Sequence, residues 1–472
     1  MTASRMPIAR RHFLATAAIG TIAGLLPMSG VHASTTTTPG PGAPTVRPAQ
    51  PTPSPQIAGA GSEVPIIGAA AASHVADTSS IRPFHYRATD AEIADLKARI
   101  KATRWPERET VNDHSQGVQL ATMQKLADYW VNYHDWRRAE ANLFSYPNFI
   151  TNIDGLDIHF IHVKSKHPNA LPVIITHGWP GSIIEQLKVI GPLTDPTAHG
   201  GTAADAFDVV IPSLPGYGFS GKTTEPGWVV PRIAKAWDAL MKRLGYTRYV
   251  AQGGDWGNAI SEVMALQQPQ GLLAIHTNMS ATLPEAIRKA LPAGPPPSGL
   301  SPEEQHAWDQ LTDFYVHGLG YAIEMNQRPQ TLYGVADSPI GLASWMLDHD
   351  IQSYDLIARV FDGAHEGLTR DDILDNVTLY WLTNTAVSSA RLYWEMRNSK
   401  AGFFDPRGVP LPTGVSAFRY EIYQAPETWA RAAYPHLVFY RAHDKGTHFA
   451  AWEQPQLLTE DMRETFRGVR KA

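Results

Sequence analysis

The chain has 472 residues, of which 43% are hydrophobic and 18% are charged, and its formal net charge is −5. This composition is typical of globular proteins, and the length suits one large domain with insertions or two domains. We expect no nucleic acid partner, because neutralising phosphates requires clustered Lys and Arg. The chain has no cysteine, which excludes disulfides, thiolate metal ligands and a thiol nucleophile.

The N-terminus predicts an export signal. Arg10-Arg11 is a twin-arginine pattern, Ala15–Leu26 is an apolar run, and a small-residue cleavage site ends at Ala33. The run is shorter than the roughly 20 residues that a helix needs to span a bilayer. Residues 34–80 are rich in Thr, Pro, Gly and Ala, and bury too little apolar surface to offset their ordering entropy. We expect a signal peptide at 1–33, a disordered linker after it, a periplasmic or secreted product, and no stable membrane span.

The first ordered elements are two helices and a hairpin. Thr89 and Glu92 have the spacing of a capping box at the start of one helix, and a second is predicted over Leu120–Trp136. The segments Phe149–Ile153 and Leu156–Val163 alternate on either side of an Asp-Gly pair, which predicts a β-hairpin.

Strands and helices alternate in the next part of the chain. The predicted strands are Leu171–Thr176, Phe207–Ile211, Tyr249–Gln252 and Leu272–Thr277, and the predicted helices are Ser182–Ile190, Pro231–Leu244 and Asn258–Gln267. This rhythm indicates the α/β class, with a mostly parallel sheet and helices on both of its faces.

The strand pattern disappears between about residues 280 and 395. Helices are predicted there over Glu303–His317, Gly341–Phe361 and Asp371–Met396, and a strand at Leu437–Ala442 and a helix at Glu453–Val469 follow. A helical insertion between strands suits a cap over the carboxyl edge of the sheet. We expect an N-terminal arm at 81–147, an α/β core at 148–280 and 396–472, and the cap at 281–395.

One glycine-rich turn carries the strongest chemical signal. In Gly253-Gly254-Asp255-Trp256-Gly257 a strand runs into a turn and then a helix, as in a nucleophile elbow, but with Asp255 where Ser is usual. The five residues alone could be a plain turn. A carboxylate is ionised at neutral pH and suits displacement at a saturated carbon, such as an epoxide or alkyl halide. The resulting ester needs a His to activate water and an acid to orient the His.

Both partners occur in the expected chain order. His448 lies between the last predicted strand and the last predicted helix. Glu421 follows a short strand-like segment and Asp444 follows the final strand, so spacing alone leaves both open as the acid.

A second loop predicts an oxyanion hole. His177-Gly178-Trp179-Pro180-Gly181 follows a predicted buried strand and precedes a helix. In this arrangement the loop supplies one backbone N–H, from Trp179, and the residue after the nucleophile, Trp256, supplies the other.

Taken together, these motifs resemble those of the microsomal-type epoxide hydrolases, which have the α/β-hydrolase fold. The matching segments are His177–Gly181, Gly253–Gly257 and His448–Ala451, with Ile81–Phe84 and Arg104–Pro106 resembling the N-terminal arm of that family. The resemblance extends from about residue 81 to the end of the chain.

The resemblance also implies two cap tyrosines and selects the acid. Tyr321, ahead of Arg328-Pro329, and Tyr393, followed by Trp394-Glu395, match the tyrosines that donate hydrogen bonds to the epoxide oxygen. The Ser-Ala-Phe context selects Glu421. Two residues depart from the pattern: the one after Tyr393, and Thr447, where the family usually has Gly.

The resemblance implies hydrolysis of a small apolar epoxide by water to a vicinal diol, without metal or cofactor, and a homodimer is one assembly open to the protein. The implied residues are Asp255 as nucleophile, His448 and Glu421 as base and acid, Tyr321 and Tyr393 as donors to the epoxide, and Trp179 and Trp256 as the oxyanion hole. Two alternatives stay open: a haloalkane dehalogenase, whose halide ligand also follows the nucleophile, and a non-catalytic binding protein on the same fold.

Overall fold

The structure is a computed structural model that describes residues 79–291, 294–397, 399, 403–405 and 407–470. The predicted signal peptide and nearly all of the predicted linker therefore lie outside the described residues. Within the described part of the chain, no helix is both long enough and apolar enough to cross a membrane.

The described residues form a sheet of nine strands in the order β1-β2-β3-β5-β4-β6-β7-β8-β9. The first three strands and β5 pair antiparallel, and the remaining pairs, from β5 through β4 to β9, are parallel. The strands are β1 Arg82–Pro83, β2 Asn148–Ile153, β3 Leu156–Val163, β4 Leu171–Thr176, β5 Phe207–Pro212, β6 Tyr249–Gly253, β7 Leu272–Thr277, β8 Thr413–Ala417 and β9 Leu437–Ala442. This confirms the α/β class and the predicted hairpin, which is β2–β3.

Helices occur before, between and after the strands, and the segments predicted as the arm and the cap are mostly helical. The arm contains α1 Asp90–Lys101, α2 Leu120–Asn132 and α3 Trp136–Leu143, and the first part of the core contains α4 Leu187–Thr194, α5 Val230–Arg243 and α6 Trp256–Gln267. The insertion contains α7 Glu285–Ala290, α8 Pro302–Asp313, α9 Gly320–Gln327, α10 Tyr333–Asp337, α11 Pro339–Leu347, α12 Ile351–Phe361, α13 Arg370–Thr383 and α14 Ala386–Arg397. The last part contains α15 Glu427–Ala433, α16 Ala450–Glu453 and α17 Pro455–Phe466.

Three predicted helices differ from the structure: the one over Leu120–Trp136 ends at Asn132 and meets the next helix only at its last residue, and those over Gly341–Phe361 and Asp371–Met396 are each two helices. In the first two, an Asp side chain caps a new helix: Asp135 accepts a hydrogen bond from Arg137 N at 2.9 Å and Asp350 accepts one from Ser353 N at 2.8 Å. In the third, Asn384 adopts the left-handed conformation that ends a helix. Apolar periodicity continues across these breaks and therefore hides them.

The N-terminal arm fastens the cap through buried polar contacts. The indole N–H of Trp130 on α2 donates to Thr378 Oγ1 on α13 at 2.9 Å. His134, just after α2, contacts Asp375 on the same cap helix at 2.8 Å, and both side chains are buried. Helix α13 is followed directly by α14, which carries Tyr393. The arm therefore helps to hold the helices that position this tyrosine.

Candidate active site

Asp255 lies in a strained turn at the carboxyl end of β6. Its φ of 50° and ψ of −128° place it outside the regions that L-residues prefer, which costs on the order of 1–3 kcal/mol. The flanking glycines permit the turn, because a Cβ on Gly253 would lie 2.2 Å from the carbonyl carbon of Gly257. A Cβ on Gly257 would lie 1.9 Å from the Thr176 oxygen. The turn therefore presents a buried carboxylate at the sheet edge, as predicted from the motif.

The loop after β4 contacts this carboxylate. The backbone N–H of Trp179 donates to Asp255 Oδ1 at 2.9 Å. The approach requires Gly178, since a Cβ there would lie 2.2 Å from the same oxygen. Trp256, the other predicted donor, is the first residue of α6, and N–H groups in the first turn of a helix have no partner within the helix. Both predicted oxyanion donors are therefore adjacent to Asp255.

A buried ion pair stands beside the nucleophile. His448 Nδ1 is 2.6 Å from Glu421 Oε1, which also accepts the N–H of Ile422 at 2.8 Å. Asp444 is exposed. The geometry therefore joins His448 to Glu421, the acid that the family resemblance selects.

The charges around His448 favour its protonated form. Burial lowers its pKa, but the charge and hydrogen bond of Glu421 act against burial. The nearby carboxylates Asp255 and Asp350 add to this effect, and together they raise the pKa of His448 to about 10. The surrounding carboxylates therefore stabilise the imidazolium form of His448.

Two cap helices bring the predicted tyrosines over the two tryptophans. Tyr321 on α9 stacks on Trp179 with ring centroids 4.7 Å apart, and Tyr393 on α14 meets Trp256 edge-on at 4.8 Å. Asn326 Nδ2 donates to the Tyr393 carbonyl at 3.2 Å, which ties the two helices together. Burial, followed by nearby negative charge, raises the pKa of both phenols well above the usual value, so both remain protonated donors.

The loop that carries His448 accommodates Thr447. The conformation that needs glycine is one residue earlier, at Gly446, whose φ is +94° and whose Cβ would lie 2.4 Å from a ring carbon of Phe418. Thr447 lies outside the left-handed region and its backbone N–H donates to Glu453. The departure from the family pattern therefore introduces no backbone strain.

The structure adds His349 and Asp350, which the sequence reasoning missed. His349 comes from the break between α11 and α12, and its ring lies 4.4 Å from that of His448 and 5.0 Å from that of Tyr321. Its Nδ1 is 2.9 Å from Asp350 Oδ2. The only signal in the sequence is the polar triplet Asp348-His349-Asp350 inside an apolar helical pattern.

Three of these side chains converge on one point. Asp255, His349 and His448 each offer one oxygen or nitrogen, and the three atoms lie within 4.8 Å of one another. Two imidazoles and a carboxylate form a donor set that metal ions also use. Because no two of these atoms are farther apart than 4.8 Å, a central atom lies at most about 2.8 Å from each donor, which is within hydrogen-bond reach of a water oxygen. The convergence therefore fits a water molecule.

A small cavity touches Asp255 and His448 and brings in a further acid. Its other lining residues include Gly178, Glu185 and Asn278. Burial raises the pKa of Glu185 to about 8, against the opposing effects of His448 and a side-chain hydrogen bond from its neighbour. A protonated Glu185 adds no charge beside the nucleophile at neutral pH.

Comparison with known proteins places the chain among named families. Residues 81–186 match a family model described as the epoxide hydrolase N terminus, and residues 172–320 match one described as the alpha/beta hydrolase fold. A Stigmatella aurantiaca protein with a provisional epoxide hydrolase name is 50% identical over 394 residues, covering 83% of this chain and 86% of that protein. Epoxide hydrolase 1 of Oryctolagus cuniculus is 36% identical over 405 residues, covering 82% of this chain and 88% of that protein.

Solved structures give the same result. The juvenile hormone epoxide hydrolase of Bombyx mori aligns with a TM-score of 0.73 and 31% identity, over 83% of this chain and 95% of that chain. The epoxide hydrolase of Aspergillus niger aligns with a TM-score of 0.70 and 30% identity, over 83% of this chain and 97% of that chain.

Proposed function

The chain belongs to the epoxide hydrolase family, and we propose that this epoxide hydrolase forms a covalent ester at Asp255, which water then cleaves to release a vicinal diol. One observation carries the mechanism. One oxygen of Asp255 lies within 4.8 Å of a His448 nitrogen in the buried His–Glu pair, and its charge acts on two buried phenols, so a donor for the epoxide oxygen and a base for the ester are both within the same site.

In the first step, Asp255 attacks one epoxide carbon and the ring opens. The carbon–oxygen bond of the epoxide breaks, and its oxygen takes a hydrogen bond and then a proton from the phenol pair Tyr321 and Tyr393. Their raised pKa keeps them protonated, and their ring centroids, 6.0 Å apart, allow both to face one oxygen. The step consumes the negative charge of Asp255.

Loss of that charge prepares the second step. Because Asp255 is one of the groups that raise the pKa of His448, its conversion to a neutral ester lowers that pKa. The imidazole then passes its proton to the phenolate left by ring opening and becomes a base for water, while Glu421 holds its orientation through Nδ1. The Trp179 N–H, already on Asp255 Oδ1, stabilises the oxyanion that forms on that carboxyl group.

The surroundings of the site support an apolar substrate. Phe403 meets the indole of Trp256 edge-on at 5.1 Å, and Phe449 meets His448 at 5.0 Å. Buried aromatic rings favour apolar groups, since transfer of apolar surface from water to such a wall is favourable.

Dehalogenation is the second candidate function, and one buried hydrogen-bond donor favours it. The indole Nε1 of Trp256 is buried and has no hydrogen-bond partner among the described residues, so it could donate to a halide. The two cap phenols favour the epoxide, because an alkoxide leaving oxygen needs a proton and a halide does not.

A substrate panel decides between the two reactions. The purified protein is incubated with matched terminal epoxides and alkyl chlorides, and diol and chloride are quantified together. We expect diol from epoxides, no chloride release, and loss of both adduct and turnover in Asp255→Ala. Chloride release without diol would show that the protein is a dehalogenase. Diol formation by Asp255→Ala at the wild-type rate would contradict the covalent mechanism.

We also propose export by the twin-arginine route. The support is the Arg10-Arg11 pair, the short apolar run after it and the small residues ending at Ala33. Cell fractionation with N-terminal sequencing should find the mature chain outside the cytoplasm. Replacing both arginines by lysine should retain it inside, and unchanged export of that variant would contradict the proposal.

A further inference from the structure

We propose that His349 is a further catalytic residue, which orients the water that cleaves the Asp255 ester. The inference rests on the proposed covalent mechanism. It assigns His349 Nε2 as acceptor of one hydrogen of that water, while His448 accepts the other.

The first observation is an unsatisfied buried nitrogen inside the site. His349 is 1% exposed, and its Nε2 has no hydrogen-bond partner among the residues that the structure describes. Buried polar atoms are nearly always paired with protein or ordered water, so an unpaired one needs a reason. A water molecule that the reaction brings into the site supplies that reason.

The second observation fixes which nitrogen is an acceptor. His349 Nδ1 is 2.9 Å from Asp350 Oδ2, and the other oxygen of Asp350 accepts the Ser353 N–H at 2.8 Å. Burial opposes ionisation of Asp350, but its hydrogen bonds to His349 and Ser353 and the nearby positive charge act against burial and lower the pKa of Asp350. A carboxylate only accepts, so when the His349 ring carries a single proton, that proton is on Nδ1 and a lone pair is on Nε2.

This pairing repeats the one on the neighbouring ring. His448 Nδ1 faces Glu421 Oε1 at 2.6 Å, and the two imidazole centroids are 4.4 Å apart. Each ring therefore has its Nδ1 held by a buried carboxylate and its Nε2 available. Two acceptors side by side match the two hydrogens of one water molecule.

The third observation is the distance to the reacting group. One atom from each of Asp255, His349 and His448 lies within 4.8 Å of the other two. A water oxygen at their centre is at most about 2.8 Å from each, which is within hydrogen-bond reach. With both hydrogens directed to the imidazoles, the lone pairs of the water face the carboxyl group of Asp255. This is the orientation that attack on the ester carbon requires.

Ester hydrolysis then proceeds in two stages. The water oxygen bonds to the Asp255 carboxyl carbon and one proton moves to His448, while the hydrogen held by His349 stays on the oxygen. The tetrahedral intermediate then expels the diol oxygen, which takes the proton from His448. The remaining acid proton on Asp255 returns to His448, whose own proton had neutralised the phenolate left by ring opening.

Two substitutions of His349 distinguish a role as hydrogen-bond acceptor from a role in packing. His349→Phe keeps a ring of similar shape against His448 but has no acceptor, whereas His349→Gln places an amide oxygen near the position of Nε2. His365→Phe, at an exposed cap position, is the matched control. Rapid mixing of enzyme and epoxide with intact-mass detection measures ester formation and ester hydrolysis separately in each variant.

We expect His349→Phe to slow ester hydrolysis by about 10- to 100-fold, the usual range for losing one well-placed hydrogen bond in a catalytic step. Ester formation should change by less than about 3-fold, so that kcat and KM fall together and the ester accumulates. His349→Gln should recover most of the loss, and His365→Phe should match the wild type.

Other outcomes overturn the inference. Equal slowing of both steps, or no recovery in His349→Gln with the fold intact by circular dichroism, would make His349 a packing residue. If His349→Phe fails to fold, the smaller His349→Leu, which also has no acceptor, takes its place: slowed ester hydrolysis there with near-wild-type rates in His349→Gln supports the inference, and equal rates in the two variants overturn it. Absence of any ester adduct in the wild-type protein would instead contradict the covalent mechanism itself.

Discussion

Replacing Glu421 by Gln should slow ester hydrolysis and leave ester formation nearly unchanged. The substitution keeps the size and hydrogen-bonding shape of the side chain but removes its charge. Glu421 contacts His448 at 2.6 Å, and the two side chains are 2% and 5% exposed. Nothing in this pair contacts the epoxide in the first step, so the effect should appear only when His448 acts as the base.

The expected slowing of ester hydrolysis can be worked out from the geometry of the Glu421–His448 pair. Unit charges about 4 Å apart attract by about 4 kcal/mol at an effective dielectric constant near 20. Solvent screens this pair little, because both partners are buried. Glu421→Gln removes this stabilisation of the imidazolium in the transition state. Ester hydrolysis should therefore slow by about 10³-fold, since 1.36 kcal/mol corresponds to one power of ten. That figure lies within the roughly 10²–10⁴-fold range of general base catalysis.

Stopped-flow mixing with intact-mass detection gives both rate constants. Glu421→Gln should show a burst of ester equal to the enzyme concentration, followed by slow decay. Asp444→Asn is the control, because this exposed acid is the other candidate from the sequence and should leave both rates unchanged. Equal slowing of both steps in Glu421→Gln, or a comparable loss in Asp444→Asn, would refute the reasoning.

Three further predictions test other parts of the site. Tyr321→Phe and Tyr393→Phe should each slow ester formation by about 10²–10³-fold in stopped-flow measurements, and a loss confined to ester hydrolysis would contradict their role. Asp255→Asn should lower the His448 pKa from about 10, which NMR of ¹³C-labelled histidine measures; an unchanged titration would show that Asp255 does not influence the base. Gly257→Ala places a Cβ 1.9 Å from a β4 carbonyl oxygen, so calorimetry should show about 1–3 kcal/mol or more of destabilisation, whereas an unchanged Tm would argue against the tight turn.

The parallel core and its turns were predictable because short segments determine them. The sequence predicts both the strand before Asp255 and the helix after it. Parallel strands bring their carboxyl ends to one edge of the sheet. That rule places the Trp179 loop beside Asp255 before any contact is known. The helix breaks at Asp135, Asp350 and Asn384 could not be predicted from the sequence, because the apolar periodicity continues through each of them.

The cap contribution was predictable only where a motif marked it. Tyr321 and Tyr393 have identifiable sequence contexts, and the structure places both against the tryptophans of the oxyanion loops. His349 has no such context, and it reaches His448, 99 residues away in the sequence, only because a helix ends at Leu347. Its position depends on packing between cap and core, which no local pattern encodes.

The covalent role of Asp255 is the central claim, and isotope transfer tests it most directly. One turnover with excess enzyme is run in ¹⁸O-labelled water, and the diol and the peptide containing Asp255 are analysed by mass spectrometry. The mechanism predicts a diol without label from the first turnover, and label accumulating in the Asp255 carboxyl group over repeated turnovers. Label in the diol from the first turnover, with none in Asp255, would show that water attacks the epoxide directly and would contradict the account.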